Sequence, residues 1–68
     1  MIKKLTEEQE KITALVVIML ETNKTYKSEL VRYLGISAPT LYARLAGRSD
    51  WRKGEITLIR ELQKEYGL

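Results

Sequence analysis

Seven basic residues fall between positions 24 and 53: Lys24, Lys27, Arg32, Arg44, Arg48, Arg52 and Lys53. Only Glu29 and Asp50 oppose them, so this segment carries a net charge of +5, while residues 1–23 and 54–68 each carry −1. Clustered ammonium and guanidinium groups are the donors that phosphate oxygens accept from, and a local excess of them is the electrostatic footprint of a nucleic-acid face. Such a cluster can also be a solvated surface that keeps a protein soluble. Hydroxyl-bearing and small side chains lie among the cations: Ser37, Thr40 and Tyr42, with Ala38, Pro39 and Ala43. The chemistry within reach is the binding of a polyanion, with hydrogen bonds and close approach, and no bond need be made or broken.

The composition points the same way. There is no cysteine, and with it no disulfide and no thiolate metal site. There is no histidine, which removes the usual zinc ligand, the commonest general base and the Ser-His and Cys-His nucleophile pairs. No catalytic residue, metal, cofactor or small-molecule ligand is expected, and the chain reads as a binding protein rather than an enzyme. Absence of cysteine fits a reducing cytoplasm. The longest apolar run, Ala14 to Leu20, has seven residues, against about 20 for a membrane helix. Glu7, Glu8 and Glu10 separate it from Lys3 and Lys4, which argues against a signal peptide. The expected place of action is the bacterial cytoplasm or nucleoid.

The elements that would position these groups are helices. After a lead-in over residues 1–5, Thr6 and Gln9 stand at capping-box spacing, and Glu7 and Glu8 suit the positive end of a helix dipole. The first helix is predicted over residues 6–23. Ile12, Leu15, Val16 and Met19 form one apolar stripe, and Ala14, Val17, Ile18 and Leu20 widen it past a single face. Two readings follow. The helix is a central spar covered on opposite sides by the others, or part of its second face meets another subunit. A second helix fits residues 27–34, with Thr25 or Tyr26 at its cap and Leu30 and Leu34 as an i, i+4 pair. Gly35 stands where a helix terminus needs positive φ. Ser37 is a good N-cap, and Pro39 falls in the first turn of a third helix over 38–46, where a missing N–H costs nothing. Leu41 and Leu45 should face the core and Pro39 and Ala43 away from it, with Arg44 to the side. Trp51 reads as an anchor for the loop 48–53, with base stacking as its alternative role. A last helix is predicted over 53–66, with Ile56, Ile59, Leu62 and Gln63 at helical spacing and Gly67 as its cap. Tyr26 and Tyr33 are expected to pack with their hydroxyls outward. The fold class is all-α: one compact domain, 1–68, of four or five helices. A chain of this size buries only about 60% of its unfolded surface, so its stability should be modest.

Helix, short glycine-containing turn, helix is the helix-turn-helix pattern, here with its core at 27–46. The run Leu-Val-x-x-Leu-Gly-Ile-Ser, Leu30 to Ser37, resembles the lambda-repressor/Cro family. The stretches Thr40 to Gly47 and Gly54 to Ile56 look like its small phage and mobile-element members. The resemblance covers residues 25 to 66. It implies a recognition helix, 38–46, in the DNA major groove, with Ala38, Pro39, Tyr42 and Ala43 at the usual base-contacting positions. Three of those four have no side-chain hydrogen bond to offer. They would meet thymine methyls, while Ser37, Thr40 and Tyr42 make the polar contacts. Lys27 occupies a position where the family often has a glutamine touching a phosphate. Arg44, Arg48, Arg52 and Lys53 would neutralise further phosphates. The implied function is a sequence-specific regulator of transcription that binds double-stranded DNA, a phage or mobile-element repressor or Cro-like protein. It would be a monomer or weak homodimer that pairs on DNA. The competing reading is a protein–protein interaction module, an antirepressor or accessory subunit docking through the apolar surface of the first helix.

Overall fold

The computed structural model describes residues 6–68; the lead-in expected over 1–5 lies outside them. Four α-helices follow one another: α1 (Glu7–Glu21), α2 (Lys27–Leu34), α3 (Ala38–Leu45) and α4 (Lys53–Glu65). There is no strand among the described residues. No helix among them is long and apolar enough to cross a membrane. α1 packs on α4 and on α3, and α2 packs on α3.

Local chemistry sets the helix ends. The Thr6 hydroxyl accepts the Gln9 N–H at 3.2 Å and starts α1. Ser37 does the same for the Thr40 N–H at 3.3 Å, with Pro39 in the first turn of α3. All four helices end in the same motif, in which the N–H of the residue after a left-handed one reaches back five positions. Lys24 N–H bonds the Met19 carbonyl, Arg48 N–H that of Ala43, and Leu68 N–H that of Gln63. The left-handed residues are Asn23, Gly47 and Gly67. Between α2 and α3 the left-handed residue is Gly35 at φ 71°, which lets Ile36 N–H return to the Val31 carbonyl and turns the chain within three residues.

The core consists of Ile12, Val16 and Met19 from α1, Leu30 and Leu34 from α2, Leu41 from α3, Ile59 and Leu62 from α4, and Trp51 from the loop before α4. These are apolar positions at 3–4 spacing, as a helix with one buried face requires. Leu41 is fully enclosed. Leu41→Ala should therefore lower the unfolding free energy by about 2–5 kcal/mol, the range for deleting a buried leucine side chain. A urea melt that moves by less than about 1 kcal/mol would mean that α3 sits on the core by some other residue.

Four expectations need correction. Gln9 does not complete a capping box. Its amide reaches 42 positions along the chain and brackets the Trp51 peptide, accepting Trp51 N–H at 2.6 Å and donating to Trp51 O at 3.0 Å. The wider apolar face of α1 is not buried: Ala14, Val17 and Ile18 face outward, between the flanks on which α3 and α4 pack. Tyr26 and Tyr33 are largely exposed rather than packed, the Tyr33 hydroxyl lying 3.5 Å from a Glu61 carboxylate oxygen. Arg44, expected at the side of α3, is buried.

Candidate nucleic-acid interface

The two faces of α3 divide its residues by size and polarity. Leu41 and Arg44 lie inside, with Leu45 half-buried next to them. Ala38, Pro39 and Tyr42 are exposed, and Thr40 and Ala43 are half-buried at the margin. Along the outward side the helix carries small side chains, one threonine and one tyrosine, with the ring of Tyr42 47% exposed. At its N-terminus the Ser37 and Thr40 hydroxyl oxygens lie 2.9 Å apart. Each hydroxyl has one proton and two lone pairs, and Ser37 already accepts the Thr40 N–H, so whichever hydroxyl donates, the Thr40 oxygen keeps acceptor capacity toward solvent.

α2 delivers a cation to that surface. Lys27 is its first residue, and its Nζ sits 4.9 Å from the centre of the Tyr42 ring. An exposed ammonium over an aromatic face gains about 0.5–1 kcal/mol. Lys27 is thereby held beside the outward side of α3. The N-cap of α2 is Tyr26, which makes no side-chain cap bond, so the first backbone N–H groups of α2 have no capping oxygen.

Beyond the C-terminus of α3, Arg48, Arg52 and Lys53 are exposed. Arg44 is not part of this group. Its Nε donates to Glu55 Oε1 at 2.8 Å and its Nη2 to Glu55 Oε2 at 3.1 Å, a forked pair with both side chains 8% exposed. Its Nη1 donates to the Ser49 hydroxyl at 2.8 Å. Glu55 Oε1 also accepts Arg52 N–H at 3.2 Å, one half of a capping box at the start of α4. Phosphate contact through Arg44 is thus corrected: its charge is neutralised internally, and the expectation that it contributes to the basic surface falls with it. What Arg44 does is tie the end of α3 to the start of α4 and fix the loop that carries Arg48 and Arg52.

That loop has a second fastening. Trp51 is 3% exposed, and its indole N–H donates to the Thr13 hydroxyl at 2.9 Å. Gln9 and Thr13 stand one turn apart on α1, so one row of that helix grips both the backbone and the ring of Trp51. The anchor reading of Trp51 holds, since its ring is turned into the core.

Sequence reasoning missed Gln9, Ser49 and Glu55 as positioning residues. Glu55 lay within the Gly-Glu-Ile stretch singled out by resemblance, at the third position of a helix, where a carboxylate returns to the N-cap N–H. That spacing from Arg52 was the available signal. Comparison with known proteins adds no relative: no family model matches the chain, nor does any curated protein or solved structure.

Proposed function

We propose that this domain binds double-stranded DNA as a transcriptional regulator, with α3 in the major groove. One observation carries the reading. The outward side of α3 takes no part in the core and is lined by small and hydroxyl-bearing residues, with Lys27 beside it on the neighbouring helix and Arg48, Arg52 and Lys53 exposed on the loop and helix that follow. A helix seated in the major groove needs this combination of close approach to base edges and cations placed for the phosphates. Ser37, Thr40 and Tyr42 supply polar contacts, Ala38, Pro39 and Ala43 apolar ones. The resemblance to the lambda-repressor/Cro family supports the same assignment and narrows it to a repressor or Cro-like protein of phage or mobile-element type, acting in the bacterial cytoplasm. The proposal includes no cofactor and no reaction.

A mobility-shift titration over a range of salt, with random and promoter-derived duplexes, tests the reading. Retention that weakens steeply as salt rises is expected, because each neutralised phosphate releases counterions. Arg48→Ala should weaken binding to all duplexes by similar factors and lower the slope of log K against log salt by about 1. Tyr42→Ala should cost a matched duplex about 1–3 kcal/mol more than a random one. Absence of salt-dependent retention on any duplex would remove the proposal, and the interaction-module alternative would take its place. Equal effects of both changes on all sequences would leave α3 as a positioning helix, with specificity arising from DNA shape.

A further inference from the structure

The outer face of α1 belongs neither to the core nor to the DNA surface proposed above. Five of its residues repeat at alternating spacings of four and three: Glu7, Lys11, Ala14, Ile18 and Glu21. That is the spacing of a helix–helix seam. All five are exposed, Ile18 by 43%, and Val17 adds a further apolar side chain on the flank. An isoleucine exposed over so much of its surface beside an exposed valine and alanine, where nine apolar side chains are buried among the described residues, is a patch without a partner in the monomer.

The shape and charge of this face match a second copy of itself in one orientation. A two-fold axis at the level midway between Ala14 and Ile18 makes the two helices antiparallel. Ala14 then lies opposite the second copy's Ile18, and Lys11, three residues further out, lies opposite the second copy's Glu21. Small meets large and basic meets acidic, twice each by symmetry. The surface has the relief that this requires. Between α1 and α4 lies an open hollow of about 250 Å³ lined by Lys11, Ala14, Leu15, Ile18, Arg60 and Gln63. A two-fold of this kind keeps each side chain on the same flank of the seam in both copies, so the second copy's Ile18 arrives over this hollow and not over its opposite flank. Lys11 is available, since its present partner is Glu7 one turn back at 3.4 Å, with both side chains well exposed. A parallel arrangement stacks each charge on its own copy, Lys11 on Lys11 and Glu21 on Glu21, and like-charge juxtaposition opposes it.

We infer that the outer face of α1 is a self-complementary interface that pairs two copies of this chain antiparallel, with Ala14 against Ile18 and Lys11 against Glu21. An isologous contact of this sort closes on itself and forms a dimer rather than a filament. The seam is about two turns of helix per copy. That is below the roughly 1,000 Å² of a stable interface, so the dimer is a weak one, populated at high concentration.

Sedimentation equilibrium of the full chain without DNA tests this separately from the DNA reading. The apparent mass should rise from 7.9 kDa toward twice that value between about 0.02 and about 2 mM, the range in which so small an interface assembles. Ile18→Asp should hold the chain at the monomer mass throughout, with unchanged helical circular dichroism, because the residue lies outside the core. Lys11→Glu and Glu21→Lys should each stay monomeric alone, since each places like charges across the seam. Mixed in equal amounts, they should sediment as a dimer, because every such contact becomes a pair of opposite charges. A wild-type chain that remains monomeric at the highest concentration overturns the inference. So does a dimer indifferent to Ile18→Asp, which would use another face, and so does a mixture of the two charge variants that fails to associate.

Discussion

Glu55→Ala should lower the unfolding free energy by about 3–5 kcal/mol, the cost of removing one partner from a buried ion pair and leaving the other uncompensated. Arg44 would keep its charge in a nearly closed site, with the Ser49 hydroxyl and the nearby charge of Asp50 but no forked carboxylate partner. The Arg52 N–H would lose its acceptor at the start of α4. A domain of this length has a total stability of about 3–10 kcal/mol at 0.05–0.15 kcal/mol per residue. The variant should therefore be partly or wholly unfolded at room temperature, which far-UV circular dichroism reads directly. Replacing both partners together, Arg44→Met with Glu55→Leu, should recover much of the loss, because no charge is left buried. A double variant as unstable as Glu55→Ala would show that the damage comes from packing rather than from an orphaned charge.

The same pair has a pH signature. Burial pushes the Glu55 carboxyl up, but the hydrogen bonds from Arg44 and from the Arg52 backbone N–H, with the charges of both arginines, outweigh it and hold the group below its ordinary value of 4.5. The bond to Glu55 in turn raises the Arg44 guanidinium, against the effect of burial. Because the folded-state carboxyl is the stronger acid, the unfolded chain takes up its proton first as pH falls. The stabilisation is complete above the ordinary glutamate range and is lost as pH falls through the depressed value. Thermal melts of the wild-type chain should drop in midpoint below about pH 4.5, and Glu55→Gln should flatten that limb. Parallel acid limbs in the two proteins would assign the loss to other carboxylates.

Trp51→Ala should cost about 3–5 kcal/mol, the range for truncating a buried aromatic to alanine. The ring fills the space between α1 and the loop before α4, and its N–H is the partner of Thr13. Truncation opens a cavity and strands a hydroxyl in the same step. Trp51→Phe keeps most of the ring volume and removes only the donor, so it should cost less, about 1–3 kcal/mol for the unpaired group. Since Trp51 is the only tryptophan, the fluorescence of the unmutated chain reports on this site. Its emission should be blue-shifted in the folded state and move red on unfolding, in step with the loss of helical signal. An emission already at the solvent-exposed position in native buffer would contradict the burial of the ring.

Both predictions bear on the proposed interface although neither residue lies on it. Arg44–Glu55 and Gln9–Trp51 fasten the loop 46–52 from its two sides, and Arg48 and Arg52 belong to that loop. Flanking cations on a freely moving segment would lose conformational entropy on binding phosphate. Fixed in place, they would meet a phosphate backbone with that cost already met in folding.

What the sequence determined by itself was the run of helices and the points where they stop. Thr6, Ser37, Pro39, Gly35, Gly47 and Gly67 act within three or four residues of their own position, through one hydroxyl, one missing N–H or one left-handed φ, so their effect can be read without knowing the fold. Leu30, Leu34 and Leu41 were legible as core for the same reason, because helical spacing alone puts an apolar side chain on a face. Tertiary structure decided what lies across the gaps between helices. Arg44 stands one turn beyond Leu41's row on α3, but a charged residue is almost never buried without a partner, and its partner is eleven residues away on another helix. Gln9 satisfies its local cap with a backbone N–H and sends its side chain to Trp51. Ala14, Val17 and Ile18 have the composition of a covered face, and only the placement of α3 and α4 on the flanks of α1 leaves them bare. Contacts between residues i and i+4 are fixed by helix geometry, whereas contacts between helices depend on how every buried face fits every other at once.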